Sequence, residues 1–176
     1  MSRLVECVPN FSEGRDRSVL DALSRAIESV EGVRLLDVDP GAATNRTVFT
    51  FVGAPEAVAE AAFRAISTAG ERIDMRQHRG EHARIGATDV VPFVPLDGTT
   101  MEDCVALAWQ VGQRVGDELG IPVYLYEAAA TRSEGCNLAT IRAGEYEGLE
   151  AKLRGPVWQP DFGPARFDAG RGATVI

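Results

Sequence analysis

Hydrophobic and polar positions change period several times along this chain, and each change predicts an element. "RLVECVPNF" (3–11) alternates, with Leu4, Glu6 and Val8 on one face and Val5 and Cys7 on the other, as in a strand that Pro9 should end at Val8. Val19, Leu20, Leu23, Ile27 and Val30 then recur at threes and fours, predicting an amphipathic helix over residues 16–31 that Gly32 stops. "VRLLDVD" (33–39) and "RTVFTFVG" (46–53) return to β-rich sequence across the turn-like "PGAATN". A second helix opens on Pro55 and turns Val58, Ala62, Ile66 and Ala69 to one side. "TDVVPFVPL" (88–96) predicts another strand, at an edge or with a bulge because of Pro92 and Pro95.

The order β-α-β-β-α-β is that of a split βαβ, ferredoxin-like sandwich, so the expected fold class is α+β. Additions follow it. Thr100 and Asp103 predict the cap of a third helix with Val105, Ala108, Val111, Val115 and Leu119 facing inward, and "PVYLYEAAA" (122–130) predicts another strand. Residues 137–153 predict one or two short helices interrupted at Gly144 and Gly148, and the prolines and glycines of 155–172 predict an extended segment over the surface. "ATVI" begins as a strand where the sequence stops, short of the roughly five residues a strand usually has, which points to one piece of something longer.

With 176 residues, 45% hydrophobic and 25% charged, the chain predicts one globular, soluble domain over residues 1–176. No apolar run approaches the roughly 18 residues of a membrane span, and "MSRLVECVPN" lacks the basic start and apolar core of a signal peptide. Cys7, Cys104 and Cys136 are odd in number and show no C-x-x-C spacing, which fits reduced thiols and a cytoplasmic location. A net charge of −8 argues against nucleic acid and anionic membranes as partners. An RNA-binding module on the same frame also lacks its aromatic strand here.

Against this acidic background, Arg72, Arg76, Arg79 and Arg84 surround the chain's two histidines, His78 and His82. "HRGEH" fits the H-x-x-E-H metal pattern, but Gly80 weakens the helix that pattern needs and the arginines oppose a divalent cation, so no metal is expected. No G-x-S-x-G occurs, and the cysteines lie far from the histidines in sequence. Two readings stay open on these residues: a general acid–base histidine in a loop freed by Gly80 and Gly86, and a histidine that is merely exposed or hydrogen-bonded.

Taken in order, "VECVPNFSEGRD", "LLDVD" with "TNRTVFTFVG", "HRGEHARIGATDVVPFVPL", "PVYLYEAAA", "IRAGEYEGL" and "WQPDFGP" resemble the N-terminal half of glutamate formimidoyltransferase, over nearly the whole chain. The resemblance implies a ferredoxin-like α/β subdomain. It also implies transfer of a formimino group from N-formiminoglutamate to tetrahydrofolate, a co-substrate, in histidine degradation. The family's catalytic histidine falls on His82, and its folate-binding stretch on Gly163, Pro164, Ala165, Arg166, Phe167, Asp168, Ala169, Gly170, Arg171 and Gly172. In the family a C-terminal subdomain follows and completes the folate site, so that subdomain is an expected partner, with a homodimer left open. A folate-binding or assembly module without independent catalysis is the competing reading.

The chemistry of that reaction assigns further residues. One histidine near neutral pKa can take the proton from N5 of the folate and return it to the departing amine, a role given to His82. A carboxylate should face the cationic amidine, with Asp39 first and Asp89 second. Substrate carboxylates call for arginine, whose planar fork suits them: Arg46 and Arg84, with Arg166 for the folate tail. Phe162 and Phe167 are placed to cover the flat pterin.

Overall fold

The structure, a computed structural model, describes residues 3–176. Among them, eight strands form one mixed sheet and five α-helices pack on it, an α+β fold. The strands are β1 (Val5–Cys7), β2 (Asn10–Phe11), β3 (Arg34–Gly41), β4 (Arg46–Gly53), β5 (Thr88–Val90), β6 (Phe93–Pro95), β7 (Val123–Tyr124) and β8 (Thr174–Val175). The helices are α1 (Arg17–Glu28), α2 (Pro55–Arg72), α3 (Met101–Arg114), α4 (Leu138–Arg142) and α5 (Glu145–Arg154).

Prolines set the strand lengths. The first strand ends at Cys7, one residue short of the expected Val8, and pairing resumes beyond Pro9, so that β1 and β2 lie in line along β4, Val5 facing Gly53 and Phe11 facing Thr47. Pro92 divides the predicted strand 88–96 in the same way, β5 pairing with β2 and β6 with β1. Proline has no N–H to give to a ladder, so each long strand becomes two short ones. β3 borders the sheet beyond β4. On the other side β8 lies between β5 and β7, parallel to both. "ATVI" is thus an interior strand, and the expected strand over 122–130 shrinks to β7, followed by a 3-10 turn at Glu127–Ala129.

Alternation along the sheet builds two cores. Val5, Cys7, Phe11, Phe49 and Phe51 face α1, α2 and α3, whose Leu23, Ile27, Val58, Ile66 and Val111 are buried with them. Phe11 and Phe49 meet edge to face at 5.4 Å between centroids, worth about 0.5–1.5 kcal/mol beyond their burial. Val90, Tyr124 and Val175 point the other way, into a smaller core with Ile141, Leu149 and Leu153 of α4 and α5. That second layer covers the β5–β8–β7 end alone. Beside it the outer face of β4 and β2 stays open and presents Arg46, Val48 and Thr50 by alternation with buried Phe49 and Phe51. The step where α4 stops and the open face begins is where the polar residues gather. Among the described residues no helix is long and apolar enough to cross a membrane.

Candidate functional site

The histidine loop, residues 76–86, is pinned between the β3–β4 turn and the start of α5. His78 is buried, and both ring nitrogens are engaged: Nε2 lies 2.8 Å from the Asn45 carbonyl, and Arg84 Nε donates to Nδ1 at 3.1 Å. A carbonyl accepts and a guanidinium donates, which assigns His78 as neutral with its proton on Nε2. Burial, together with the positive charge of Arg84, lowers its pKa below the usual range, against the hydrogen bond to Asn45 and the attraction of Glu13. Asn45 holds a left-handed backbone at φ 48°, which asparagine tolerates, while its Oδ1 accepts from Gly14 N at 2.9 Å and its Nδ2 donates to Arg79 O at 3.1 Å. The loop presses on this turn so closely that a Cβ on Gly80 would sit 2.1 Å from the Thr44 carbonyl oxygen. Gly80 therefore permits contact; it does not loosen the loop.

A test of the neutral His78 follows from the sign of its shift. Below the ordinary histidine pKa of about 6.5, the unfolded chain binds a proton at this position that the folded chain refuses. Stability is thus complete above that pH and is lost as pH falls through the window beneath it. Arg84, Arg15 and Glu13 are the charged groups acting on the ring, with Glu145 and Glu147 bound to Arg84 behind it. Urea midpoints at pH 7.5 and 5.0 should separate more in the wild type than in His78→Asn; equal separations would show that His78 is not held neutral.

Arg84 ties the loop to α5. Its Nη1 donates to Glu145 at 3.0 Å and to Glu147 at 2.9 Å, and its Nη2 donates to Glu147 at 2.7 Å. Those carboxylates draw its pKa up, and Arg84 in turn holds Glu147 down at about 2. The guanidinium also lies 5.7 Å from the Tyr146 ring centroid. Each of its nitrogens already has a partner, although the sequence assigned it to a substrate carboxylate. Glu145 keeps a left-handed φ of 53° next to Gly144, a conformation costing on the order of 1 kcal/mol that the Arg84 contact helps to hold.

His82 is partly exposed and sits differently. Its Nδ1 is 2.6 Å from the carbonyl of Ala83. That carbonyl can accept but not donate, so the proton belongs on Nδ1 and the lone pair on Nε2. Nε2 makes no hydrogen bond among the described residues. The ring borders an open hollow with Ala83, Leu138, Arg142, Gly144 and Glu145. This is the geometry of a histidine whose basic nitrogen is fixed and left for something outside the chain.

Arg142, which sequence reasoning missed, closes the far side of the hollow. It ends α4 and makes an ion pair with Asp89, whose side chain is almost wholly buried. Asp89 also accepts from the Ile85 amide at 3.0 Å. The β2–β5 register slips at this point, Asn10 facing Val90 while Phe11 faces Thr88, a bulge that turns Asp89 toward α4 beside Val90. Burial raises the Asp89 pKa, opposed by Arg142, the Ile85 amide and Arg46. Arg46 donates from Nε to Asn10 at 2.6 Å and forms no ion pair among the described residues. Burial lowers its pKa, with Asp89 pulling the other way. Asp39 is exposed on β3, opposite Val48 on the ladder and so on the open face with Arg46. Asp89 thus meets Arg142 directly and feels Arg46 through its charge, and Arg142 shares the hollow with His82.

The Gly163–Gly172 stretch has no regular structure, as expected, but it does not wander. Met75 N donates to Gly170 O at 2.8 Å, Ala87 N to Arg171 O at 2.8 Å, and the Tyr146 hydroxyl to Ala169 O at 2.6 Å. Asp168 accepts from Arg171 Nε at 2.7 Å. Phe162 meets Trp109 edge-on at 5.8 Å and Phe167 tilts against Tyr146 at 5.5 Å, while Ala165 and Arg166 are exposed. None of these residues borders the His82 hollow; Tyr146, between Phe167 and Arg84, is the link between them. Among the described residues no three His, Cys, Asp or Glu side chains stand together as a metal cluster.

The model of the formiminotransferase domain, N-terminal subdomain, matches residues 4–176. The chain is 54% identical over 175 residues to formimidoyltransferase-cyclodeaminase of Dictyostelium discoideum, covering 99% of this chain and 33% of that protein. It is 47% identical over 176 residues to glutamate formimidoyltransferase of Streptococcus pyogenes, covering 100% of this chain and 59% of the relative. Against glutamate formimidoyltransferase of Thermoplasma acidophilum the identity is 54%, over 98% of this chain and 57% of that one. The chain thus spans about a third of the bifunctional relative and under three fifths of the two shorter ones.

Proposed function

The chain belongs to the formiminotransferase family, and from that premise we propose that it is the N-terminal subdomain of a cytoplasmic enzyme moving a formimino group from N-formiminoglutamate to N5 of tetrahydrofolate, a step of histidine breakdown. The observation that carries this reading is the His82 ring on the rim of the hollow, its Nδ1 on the Ala83 carbonyl and its Nε2 without a hydrogen bond among the described residues.

The N5 lone pair attacks the amidine carbon and forms a carbon–nitrogen bond. His82 Nε2 removes the proton that N5 then carries. The tetrahedral intermediate collapses by breaking the bond to the glutamate nitrogen, and the imidazolium returns the proton to that leaving amine. The products are 5-formiminotetrahydrofolate and glutamate, with no proton left over and no metal ion needed for the balance. Asp39 is the carboxylate we assign to the cationic amidine, since it stands on the open face free of ion pairs among the described residues. Asp89 serves instead through Arg142. Arg46 keeps its terminal nitrogens for a substrate carboxylate, and Arg84 shapes the hollow by holding Glu145.

The folate is assigned to Gly163–Gly172 with Phe162 and Phe167, and to a C-terminal subdomain facing the same stretch. A protein containing both subdomains, given formiminoglutamate and tetrahydrofolate, should form 5-formiminotetrahydrofolate and release glutamate in equal amounts. Absence of either product would refute the reading.

A further inference from the structure

We infer that Arg142, held in place by Asp89, binds the α-carboxylate of the formimino donor beside His82. The inference rests on the transferase reading above and names a residue for its donor. Three observations carry it. First, Arg142 and His82 border one hollow, so a group held by this guanidinium lies next to the histidine that handles the proton. In the donor, the α-carboxylate is attached to the carbon that bears the formimino nitrogen, so the carboxylate and the reacting nitrogen must be neighbours too. The more distant γ-carboxylate lacks that constraint.

Second, the guanidinium is only partly partnered. Nη2 donates to Asp89, whereas Nε is buried without a hydrogen bond and Nη1 makes none among the described residues. A buried arginine N–H left unmade is costly, and an oxygen supplied from outside relieves it. Arg84 of the histidine loop gives the contrast, because each of its nitrogens is already bonded within the chain.

Third, the carboxylates at hand are engaged. Asp89 is paired with Arg142 and also feels the charge of Arg46, its side chain 1% exposed and that of Arg142 16% exposed. The free edge of Arg142 is left to an anion from outside. Glu145, the remaining carboxylate on the rim, is already paired with Arg84. The bulge at Asp89 gives the cluster its aim, since a regular ladder would send that side chain into the other core. Asp89 is accordingly a positioning residue: it fixes the guanidinium through Nη2 and touches no substrate.

The test uses the two-subdomain protein and two donors, N-formiminoglutamate and N-formimino-4-aminobutyrate, which differ by the α-carboxylate alone. Arg142→Met should raise KM for formiminoglutamate by about 10–100-fold, the loss of one charge-assisted contact, and leave KM for tetrahydrofolate nearly unchanged. It should also treat the two donors alike, where the wild type strongly favours the one with the carboxylate. Arg142→Met leaves Asp89 buried and unpaired, so the double variant Arg142→Met with Asp89→Asn provides a folded form free of that charge, with the same expected loss of discrimination. Asp89→Asn alone should weaken discrimination less, since the guanidinium is still present. If Arg142→Met or the double variant still discriminates as sharply as the wild type, the assignment is wrong while the transferase reading stands. A wild-type protein that transfers nothing from either donor overturns both.

Discussion

His82→Ala, made in a protein with both subdomains, should lower kcat by about 10²–10⁴, the usual contribution of a positioned acid–base group. KM values should change little, because the ring borders the hollow without closing it and no described contact depends on its Nε2. His78→Ala should show the reverse balance. That ring bridges Asn45 and Arg84 in the interior, so its loss should appear as lost stability and a modest fall in kcat through a loosened loop. Steady-state kinetics beside a urea unfolding curve separates the two variants. Equal kinetic losses at both positions would contradict the division of labour drawn between them.

The second large effect concerns stability. Gly172→Val should destabilise the fold by at least about 3 kcal/mol, combining backbone strain with an overlap that the surroundings cannot relieve. Gly172 has φ +69°, and a Cβ there would lie 2.2 Å from the Ile85 carbonyl oxygen and 2.8 Å from Gly86 Cα. The obstacles are backbone atoms, so no side-chain rotation makes room. Gly86 meets the same joint from the other side, where a Cβ would fall 2.1 Å from the Ala173 carbonyl oxygen. This joint delivers the chain into β8 and holds Gly163–Gly172 against the histidine loop, so the variant should also weaken folate binding. A loss under about 1 kcal/mol in chemical denaturation would show that the joint yields more easily than its geometry implies.

Much of the frame was legible. The 3.6 period of Val19, Leu23 and Ile27 and the alternation around Phe49 and Phe51 come from burial on one face, and burial is what those periods record. α2 begins on Pro55, and α3 carries the Thr100–Asp103 capping box, as read. Pro9 marks the end of β1, and the edge or bulge expected from Pro92 and Pro95 is met by β6 at the sheet edge and the slip at β5; less legible was that pairing resumes in line beyond each proline. "ATVI" shows as a strand, but its place between β5 and β7 does not, because two residues between parallel neighbours have no period of their own.

The site divides along the same line. His82 drew attention through residue type and motif, which are local properties. Arg142 looked like one more cation in the last turn of a short helix, since its value comes from Asp89, 53 residues earlier, and from a bulge that no pattern announces. Gly80 and Gly86 were read as sources of looseness because sequence shows a missing side chain but not the carbonyl filling its place. The one available signal for Arg142 was its place in "IRAGEYEGL", among the stretches that carried the family resemblance.

The central claim is that the His82 imidazole itself moves the proton during formimino transfer, and rescue with free imidazole tests it most directly. The hollow beside His82 is open, and the alanine variant widens it by the volume of the missing ring, so imidazole can enter where Nε2 stood. In the two-subdomain His82→Ala protein, added imidazole should restore 5-formiminotetrahydrofolate formation in a saturable way, with the rate following the pKa of substituted imidazoles, and it should do nothing for His78→Ala. An unrescued His82→Ala variant, or one that transfers at the wild-type rate unaided, would contradict the claim.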